Sequence, residues 1–544
     1  MEWIEEPFEW IRQFRFGVVR RYASGPVAEM RVLAELTPES TVTFLSYEVL
    51  AIPKNILGYA AIPFQIGFIS AKKFESIFRK YDTAAHQKKL FFDTHFFSTP
   101  VTFVPGGKER MSNLQQSIVK QGADLQIVNH LIEIISASDD LTLSRIRPYA
   151  LADYWSVSRR KTLETFLIAT REGLLDFRWD LLCPLCRGAK FTANSLSKIQ
   201  SQVHCDSCHI DFTVNFDRSV ELTFRPNSSI RKIDAAEFCI AGPQVTPHVT
   251  IQQLLPAKTE RKVNPLLEKG RYRLRTLQLD GGTFAVVNDE GMREVIFSAT
   301  LNGWNNEEIA FHPKATIVFR NETSQEQLFI FERMEWNDQA ATAADVTSLQ
   351  LFRDLFANEA LRPGEQISVG SLAILFTDLR GSTKMYKEIG DAPAFGRVMQ
   401  HFDVLKEAIA NEEGAIIKTM GDAVMAVFKR PANAMRAVIE AQIALKKKSI
   451  STVPLILKAG IHFGPSIAVN LNDKLDYFGS TINLAARLVD ASQGNDILIS
   501  RNVFNDPEVK ELLRKQSCTT QELFINLKGF GAEEFQLQRI EMDK

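Results

Sequence analysis

Apolar positions along this chain change period several times, and each change marks a change of element. Partial alternation over residues 14–22 and 41–47 predicts short strands, with Gly25-Pro26 and Thr37-Pro38-Glu39-Ser40 as turns. Over 60–80 the spacing becomes helical, with Phe64, Ile66, Phe68, Phe74 and Phe78 at apolar positions. Helical spacing returns over 113–121, 124–137 and 161–172; Gly173 then reads as a stop before a strand through Phe177 and Trp179. Strand patterns at 270–275, 283–287, 315–321 and 327–332 recur at near-regular intervals and predict a β-sandwich. A helix over 343–356 leads through Arg362-Pro363-Gly364 into an apolar strand at 371–377. Beyond it, 415–418 and 423–428 read as a hairpin around Met420-Gly421-Asp422. The fold class is therefore a multidomain α+β chain, divided at 1–90, 91–180, 181–225, 226–340, 341–370 (connecting helix and linker) and 371–544.

A length of 544 residues is too great for one core, which agrees with that division. Hydrophobic content of 45% and charged content of 24% are ordinary for globular protein. The net charge of -1 argues against nucleic-acid binding driven by bulk electrostatics. The most apolar window, 49–71, contains Lys54, Asn55, Gln65 and two prolines, so it reads as a buried helix with a loop, not a membrane span. The acidic, aromatic start Met1-Glu2-Trp3-Ile4-Glu5-Glu6 is no signal peptide, and a cytoplasmic protein is expected.

Four of the six cysteines fall in two tight pairs, Cys183-Pro184-Leu185-Cys186 and Cys205-Asp206-Ser207-Cys208; Cys239 and Cys518 stand alone. Each pair can clamp one side of a tetrahedral ion. Four thiolates suit one structural Zn²⁺ with no open position for water, in a reducing compartment. An iron centre and simple buried cysteines are the alternatives.

The densest chemistry lies in the last segment. Asp378 ends a strand and is followed by Leu379-Arg380-Gly381-Ser382-Thr383, a turn into a helix whose N–H groups suit phosphates. Asp422 sits in the hairpin turn. If that hairpin lies beside the first strand, the two acids converge and can hold two Mg²⁺ or Mn²⁺ ions. Two such ions suit an in-line displacement at phosphorus: one acidifies the attacking hydroxyl and one neutralises the leaving group. Singly, a strand-end Asp is commonly a cap and Gly-Asp an ordinary turn.

With Leu475-Asp476-Tyr477-Phe478-Gly479-Ser480-Thr481-Ile482-Asn483-Leu484-Ala485-Ala486-Arg487, these motifs resemble the catalytic domain of the class III nucleotide cyclases, a ferredoxin-like α/β fold. The resemblance implies metal ligation by Asp378, Asp422 and the Leu379 carbonyl. It implies a base-reading pair in Lys418 and Asp476, a ribose-orienting Asn483, and an Arg487 that stabilises charge on the α-phosphoryl group. Lys528 in Leu527-Lys528-Gly529-Phe530 matches a family lysine that contacts the triphosphate. Ser382 departs from the Phe that many members carry, as other bacterial members with a Gly-Ser-Thr ending do. A lysine donates only and an ionised carboxylate accepts only, so the pair matches adenine N1 and N6 and mismatches guanine. The implied activity is that of an adenylate cyclase, a phosphorus-oxygen lyase acting on ATP at sites shared across a head-to-tail homodimer. A guanylate cyclase is the nearest alternative.

The front of the chain is read more coarsely. Strands and a long helix before residue 90 look like the latter half of a START-like helix-grip domain, which would take an apolar small-molecule effector or serve structurally. Helices before the 175–179 strand resemble a winged-helix unit, and compact bundles give the same pattern. The order of START-like strands, helices, four-Cys ribbon, sandwich and cyclase looks like a group of multidomain bacterial adenylate cyclases. A zinc-ribbon DNA-binding regulator with a non-catalytic cyclase domain is the reading from a different class, with nucleic acid otherwise not an expected partner.

Overall fold

The computed structural model describes residues 2–40, 42–86, 102–184, 188–205, 210–234, 246, 248–279, 281–301, 303–304, 308–334, 339–448 and 454–542. Five strands open the chain: β1 (Trp3–Glu5), β2 (Glu9–Ile11), β3 (Arg15–Tyr22), β4 (Val27–Glu39) and β5 (Val42–Pro53). The turn expected at Thr37-Pro38 is strand, and the chain turns at Ser40, with φ +47°. Pro38 is tolerated because β3 pairs with β4 only as far as Glu35, so no ladder bond is lost on that side.

Next come α1 (Ile56–Ile62), a π-helical stretch over Pro63–Ser70, and α2 (Ala71–His86). The widening starts where Pro63 lacks an amide hydrogen. The burial expected of 49–71 is not found: Ile56 is 88% exposed and Phe64 64%. Phe74 and Phe78 meet Tyr47 of β5, with ring centroids 4.9 and 5.2 Å away, and this one-sided packing leaves the other faces open. A cleft lies between Gly25-Pro26 and the helix at Asn55, Leu57 and Phe64.

The middle of the chain holds α3 (Gly107–Lys120), α4 (Leu125–Ala137), α5 (Asp140–Ser144), α6 (Pro148–Trp155) and α7 (Arg159–Arg171). Asp124 and Ser158 cap α4 and α7 through their side-chain oxygens. Then follow β6 (Leu175–Leu182), β7 (Ala189–Ala193), β8 (Gln202–Cys205), β9 (Ile210–Thr213) and β10 (Val220–Pro226). They form a three-stranded sheet in the order β10-β6-β7 and a β8-β9 hairpin. Cys183 follows β6 and Cys205 ends β8; both are fully buried, while Cys186 and Cys208 lie outside the described residues.

Six further strands are β11 (Val249–Leu255), β12 (Glu260–Val263), β13 (Gly270–Thr276), β14 (Thr283–Ala299), β15 (Ile309–Asn321) and β16 (Gln327–Arg333). They do not form a unit apart from the front of the chain, as the division into 1–90 and 226–340 expects. Ile251 and Gln252 of β11 pair with Ile11 and Trp10 of β2, making one eleven-stranded sheet. Only residues 256–259 join β11 to β12, although four strands stand between them in the sheet order β12-β15-β14-β13-β16-β11. That stretch must therefore curl back on itself. It encloses a core of Tyr272, Phe297, Phe319, Phe329 and Phe331.

The helix expected over 343–356 is broken into α8 (Ala343–Thr347) and α9 (Gln350–Leu355). The Thr347 and Ser348 hydroxyls bond back to Ala343 and Asp345 carbonyls, and Arg353 Nε takes the Thr347 carbonyl at 3.0 Å. Such local bonds compete with helix continuation.

The last segment contains β17 (Gln366–Leu379), α10 (Ser382–Ile389), α11 (Asp391–Asn411), β18 (Ala415–Met420), β19 (Ala423–Phe428), α12 (Pro431–Lys448), β20 (Leu457–Leu471) and β21 (Lys474–Phe478). It ends with α13 (Ser480–Ala491), β22 (Asp496–Ser500), α14 (Arg501–Phe504), α15 (Pro507–Lys515), β23 (Cys518–Asn526) and β24 (Glu534–Met542). The sheet order is β18-β19-β17-β20-β22-β24-β23, with β21 paired to β20. Alternate residues of β17 face opposite ways. Ala373 and Leu375 pack into a core with residues of α11 and α12. Leu372, Ile374 and Phe376 join a second core that continues through Phe352 and Trp179 into the middle of the chain. The boundary at 371 is therefore not a packing boundary. Among the described residues, no helix is long and apolar enough to cross a membrane.

Candidate active site

Strand register brings the two acids together. Thr377 of β17 pairs with Val424 of β19, and Met420 pairs with Ala423 across the hairpin turn, so Asp378 and Asp422 sit at the same end of adjacent strands. Burial raises the pKa of Asp378, and the charge of Asp422 raises it further; Lys458, opposite Asp378 on β20, works the other way. Asp422 Oδ2 is buried and has no hydrogen-bond partner among the described residues. Two acids held close with an unpaired buried oxygen is the donor set that a hard divalent cation satisfies, so the residues fit the metal role.

Asp378 exacts a stability cost that can be measured. Its raised pKa means that the folded chain holds this proton more tightly than the unfolded chain. Stability falls as pH rises through the interval between the two values and stays lower above it. Asp378→Asn removes that penalty. In metal-free buffer its melting temperature is expected to exceed that of the unaltered chain at neutral pH. The difference should vanish below about pH 4. A lower melting temperature for the variant at neutral pH contradicts this account.

Next to Asp378 the chain turns into α10. Gly381 is the N-cap residue, with φ +74°, a conformation that glycine adopts without strain. No side chain caps the helix start, so the N–H groups about Ser382 and Thr383 stay available to an anion. A cavity of about 380 Å³ opens here, lined by Asp378, Leu379, Gly381, Lys458 and Ser492 among others.

Lys418 and Asp476 also meet. Lys418 Nζ lies 2.7 Å from Asp476 Oδ2, across strands far apart in sequence. Asp476 is nearly buried, its side chain 7% exposed, and its other oxygen accepts the Tyr477 N–H at 2.7 Å. The Lys418 ammonium also stands 5.7 Å from the Phe478 ring centre. An irregularity in β18 between Ile416 and Lys418 re-aims the strand at this point.

Asn483 and Arg487 lie one turn apart on α13, where Arg487 pairs with the exposed Asp490 at 3.1 Å. This helix lies close on the sheet because Gly460 of β20 has no side chain; a Cβ there would come within 2.5 Å of the Val489 nitrogen. Lys528 is exposed in the turn between β23 and β24, and among the described residues no hydrogen bond or ion pair ties it to the other candidates. Likewise, none joins the Asp378–Asp422 cluster to Lys418–Asp476.

Sequence reasoning missed Lys458, Ser492 and His401. His401 is buried on α11 close enough to Asp422 to feel its charge, yet burial dominates and pushes its pKa down to about 4. It is therefore neutral at neutral pH. Strand register places Lys458 opposite Asp378, whereas His401 on α11 and Ser492 at the end of α13 come in through helix packing, which no motif marks.

Residues 110–240 match a family of unknown function (DUF5939), and residues 365–539 match the family described as the adenylate and guanylate cyclase catalytic domain. An adenylate cyclase of Lachancea kluyveri is 26% identical over 176 residues, covering 28% of this chain and 9% of that protein. An uncharacterized protein of Mycobacterium tuberculosis is 32% identical over 151 residues, covering 27% of this chain and 49% of that protein. This chain thus spans less than half of either relative. Among solved structures, the adenylyl cyclase CyaB from P. aeruginosa is 23% identical with a TM-score of 0.30, covering 33% of this chain and 97% of that one. Residues 365–539, which hold the Asp378–Asp422 cluster and the Lys418–Asp476 pair, are thus the part of the chain that is similar to the adenylate and guanylate cyclase catalytic domain.

Proposed function

We propose that this chain is an adenylate cyclase, converting ATP to 3′,5′-cyclic AMP and pyrophosphate. The observation that carries the choice of ATP is the Lys418–Asp476 contact at 2.7 Å. It sets a donor-only group beside an acceptor-only group. The ammonium has donors left for adenine N1, and the carboxylate has acceptor sites left for the N6 amino group. Guanine, with a donor at N1 and an acceptor at O6, would oppose both.

In the reaction the ribose 3′-oxygen bonds to the α-phosphorus, the bond from that phosphorus to the β-phosphate bridge breaks, and the hydroxyl proton passes to solvent. Two Mg²⁺ or Mn²⁺ ions, when held by Asp378, Asp422 and the Leu379 carbonyl, supply positive charge that acidifies the 3′-hydroxyl and offsets the triphosphate. Asn483 orients the ribose. Arg487 leaves Asp490 to meet the charge that builds on the α-phosphoryl oxygens. Gly381, Ser382 and Thr383 present N–H groups to the phosphates, with Lys528 as a further cation. The substrate-reading residues act on nucleotide held at the acids of a second copy, in a homodimer. One Zn²⁺ on Cys183, Cys186, Cys205 and Cys208 belongs to the proposal as a folding staple; the burial of Cys183 and Cys205 in one apolar cluster supports it.

The test is direct. The full chain is incubated with ATP or GTP and Mn²⁺, and cyclic product is separated and quantified. Cyclic AMP is expected to form at least about tenfold faster than cyclic GMP, and a chelator of divalent ions should abolish both. Equal rates would remove the preference for ATP. Absence of both products would sink the enzyme reading.

A further inference from the structure

The short helices α8 and α9 precede the segment that matches the cyclase family, yet they touch both strands that carry the base-reading pair. On one side, Gln350 Oε1 accepts the Ile416 N–H at 2.7 Å. Ile416 lies two positions before Lys418 on β18, at the edge of its sheet. On the other side, Arg353 Nη1 donates to the Leu475 carbonyl at 3.0 Å, next to Asp476. The same guanidinium lies 5.4 Å from the Tyr477 ring centre, and the Tyr477 hydroxyl donates to Thr347 Oγ1 at 3.0 Å. Tyr477 is the other neighbour of Asp476.

A connector would need only the apolar anchors Leu349 and Phe352 to hold it in the core. Here three polar side chains go further and fix β18 and β21, which do not pair with each other. Arg353 spans two sites at once, since its Nε also takes the Thr347 carbonyl at the helix break. A shift of α9 therefore displaces the backbone beside Lys418 and beside Asp476 together. A hydrogen bond at 2.7 Å loses most of its strength over a shift below 1 Å. Base selection depends on that separation.

We infer that α8 and α9 form a positioning clamp, in which Thr347, Gln350 and Arg353 set the geometry of Lys418 and Asp476 and so the purine preference. This inference rests on the proposed adenylate cyclase reading. These residues touch neither metal nor phosphate positions in the reading above, so they are positioning residues and not catalytic ones.

The test uses the full chain and nucleotides that bind without reacting. 3′-Deoxy-ATP and 3′-deoxy-GTP lack the attacking hydroxyl, and their affinities are measured by calorimetry with Mn²⁺. Gln350→Ala and Arg353→Ala are expected to weaken 3′-deoxy-ATP by about tenfold and 3′-deoxy-GTP by much less, so that the ratio of affinities narrows. Arg353→Lys keeps one donor and should recover part of the ratio. Arg362→Ala, in the same linker but paired among the described residues only with Glu365, should leave the ratio unchanged. Thermal melting of every variant separates loss of fold from loss of selection, and Arg353→Lys serves if an alanine variant does not fold. An unchanged ratio in folded variants, or equal weakening of both analogues, overturns the clamp. Cyclic product from the unaltered chain is scored separately: its absence fails the proposed function, whereas its presence with an unmoved ratio fails the clamp alone.

Discussion

A mixture of Asp378→Ala and Arg487→Ala chains regains cyclase activity that neither chain has alone; this is the expected result of separating the two halves of a shared site. In the proposed reaction each substitution removes a group that acts at the reacting phosphate, so each alone should lower the rate by roughly a thousandfold. In a random mixture half of the dimers combine one chain of each kind. Such a dimer has one site with both defects and one with neither. Recovery should then approach about one quarter of the unaltered activity. The measurement is initial rate of cyclic AMP formation against mixing ratio, with dimerisation followed by analytical ultracentrifugation. Dimers that form and stay inactive would show that each site is built within one chain.

Lys418→Ala is expected to lower kcat/KM for ATP by about a hundredfold and to bring ATP and GTP close to parity. Two effects combine. Adenine loses its N1 donor, and Asp476, nearly buried at 7% exposure, loses its counter-charge. An acid left buried and unpaired costs on the order of 3 kcal/mol in folding stability, so melting should fall as well. Lys418→Arg offers a cation of different shape and should restore stability more than activity. Selectivity for ATP that survives Lys418→Ala would place base reading elsewhere.

The candidate residues were legible because their chemistry is local. Asp378, Asp422 and the 475–487 stretch each fall at a change of hydrophobic period, and a strand end followed by Gly is visible in a single window. Together they resemble one family, and that resemblance supplied the expected residue roles. What stayed hidden were the pairings across sequence. The strand pattern at 14–22 was visible, but neither the strand at Val249–Leu255 nor its pairing of Gln252 with Trp10 was. Lys458 joined the site only through its register opposite Asp378. Gln350 and Arg353 look like ordinary polar positions on a connecting helix, because the strand edges they hold lie more than sixty positions onward. The exposed 56–70 helix was misjudged for a related reason: hydrophobic content says that a segment can be covered, not that a neighbour is there.

The core shared by Leu372, Ile374, Phe376, Phe352 and Trp179 bears on how such a chain can be taken apart or recombined. The catalytic segment is no interchangeable cartridge. A graft of residues 365–539 onto a foreign sensor would arrive with one oily side uncovered, and the host would have to supply a matching surface or see the hybrid aggregate. The shared core reaches back to Met111, so recombination that keeps the product soluble must carry the 343–355 helices and the body beneath them as a single inheritable unit.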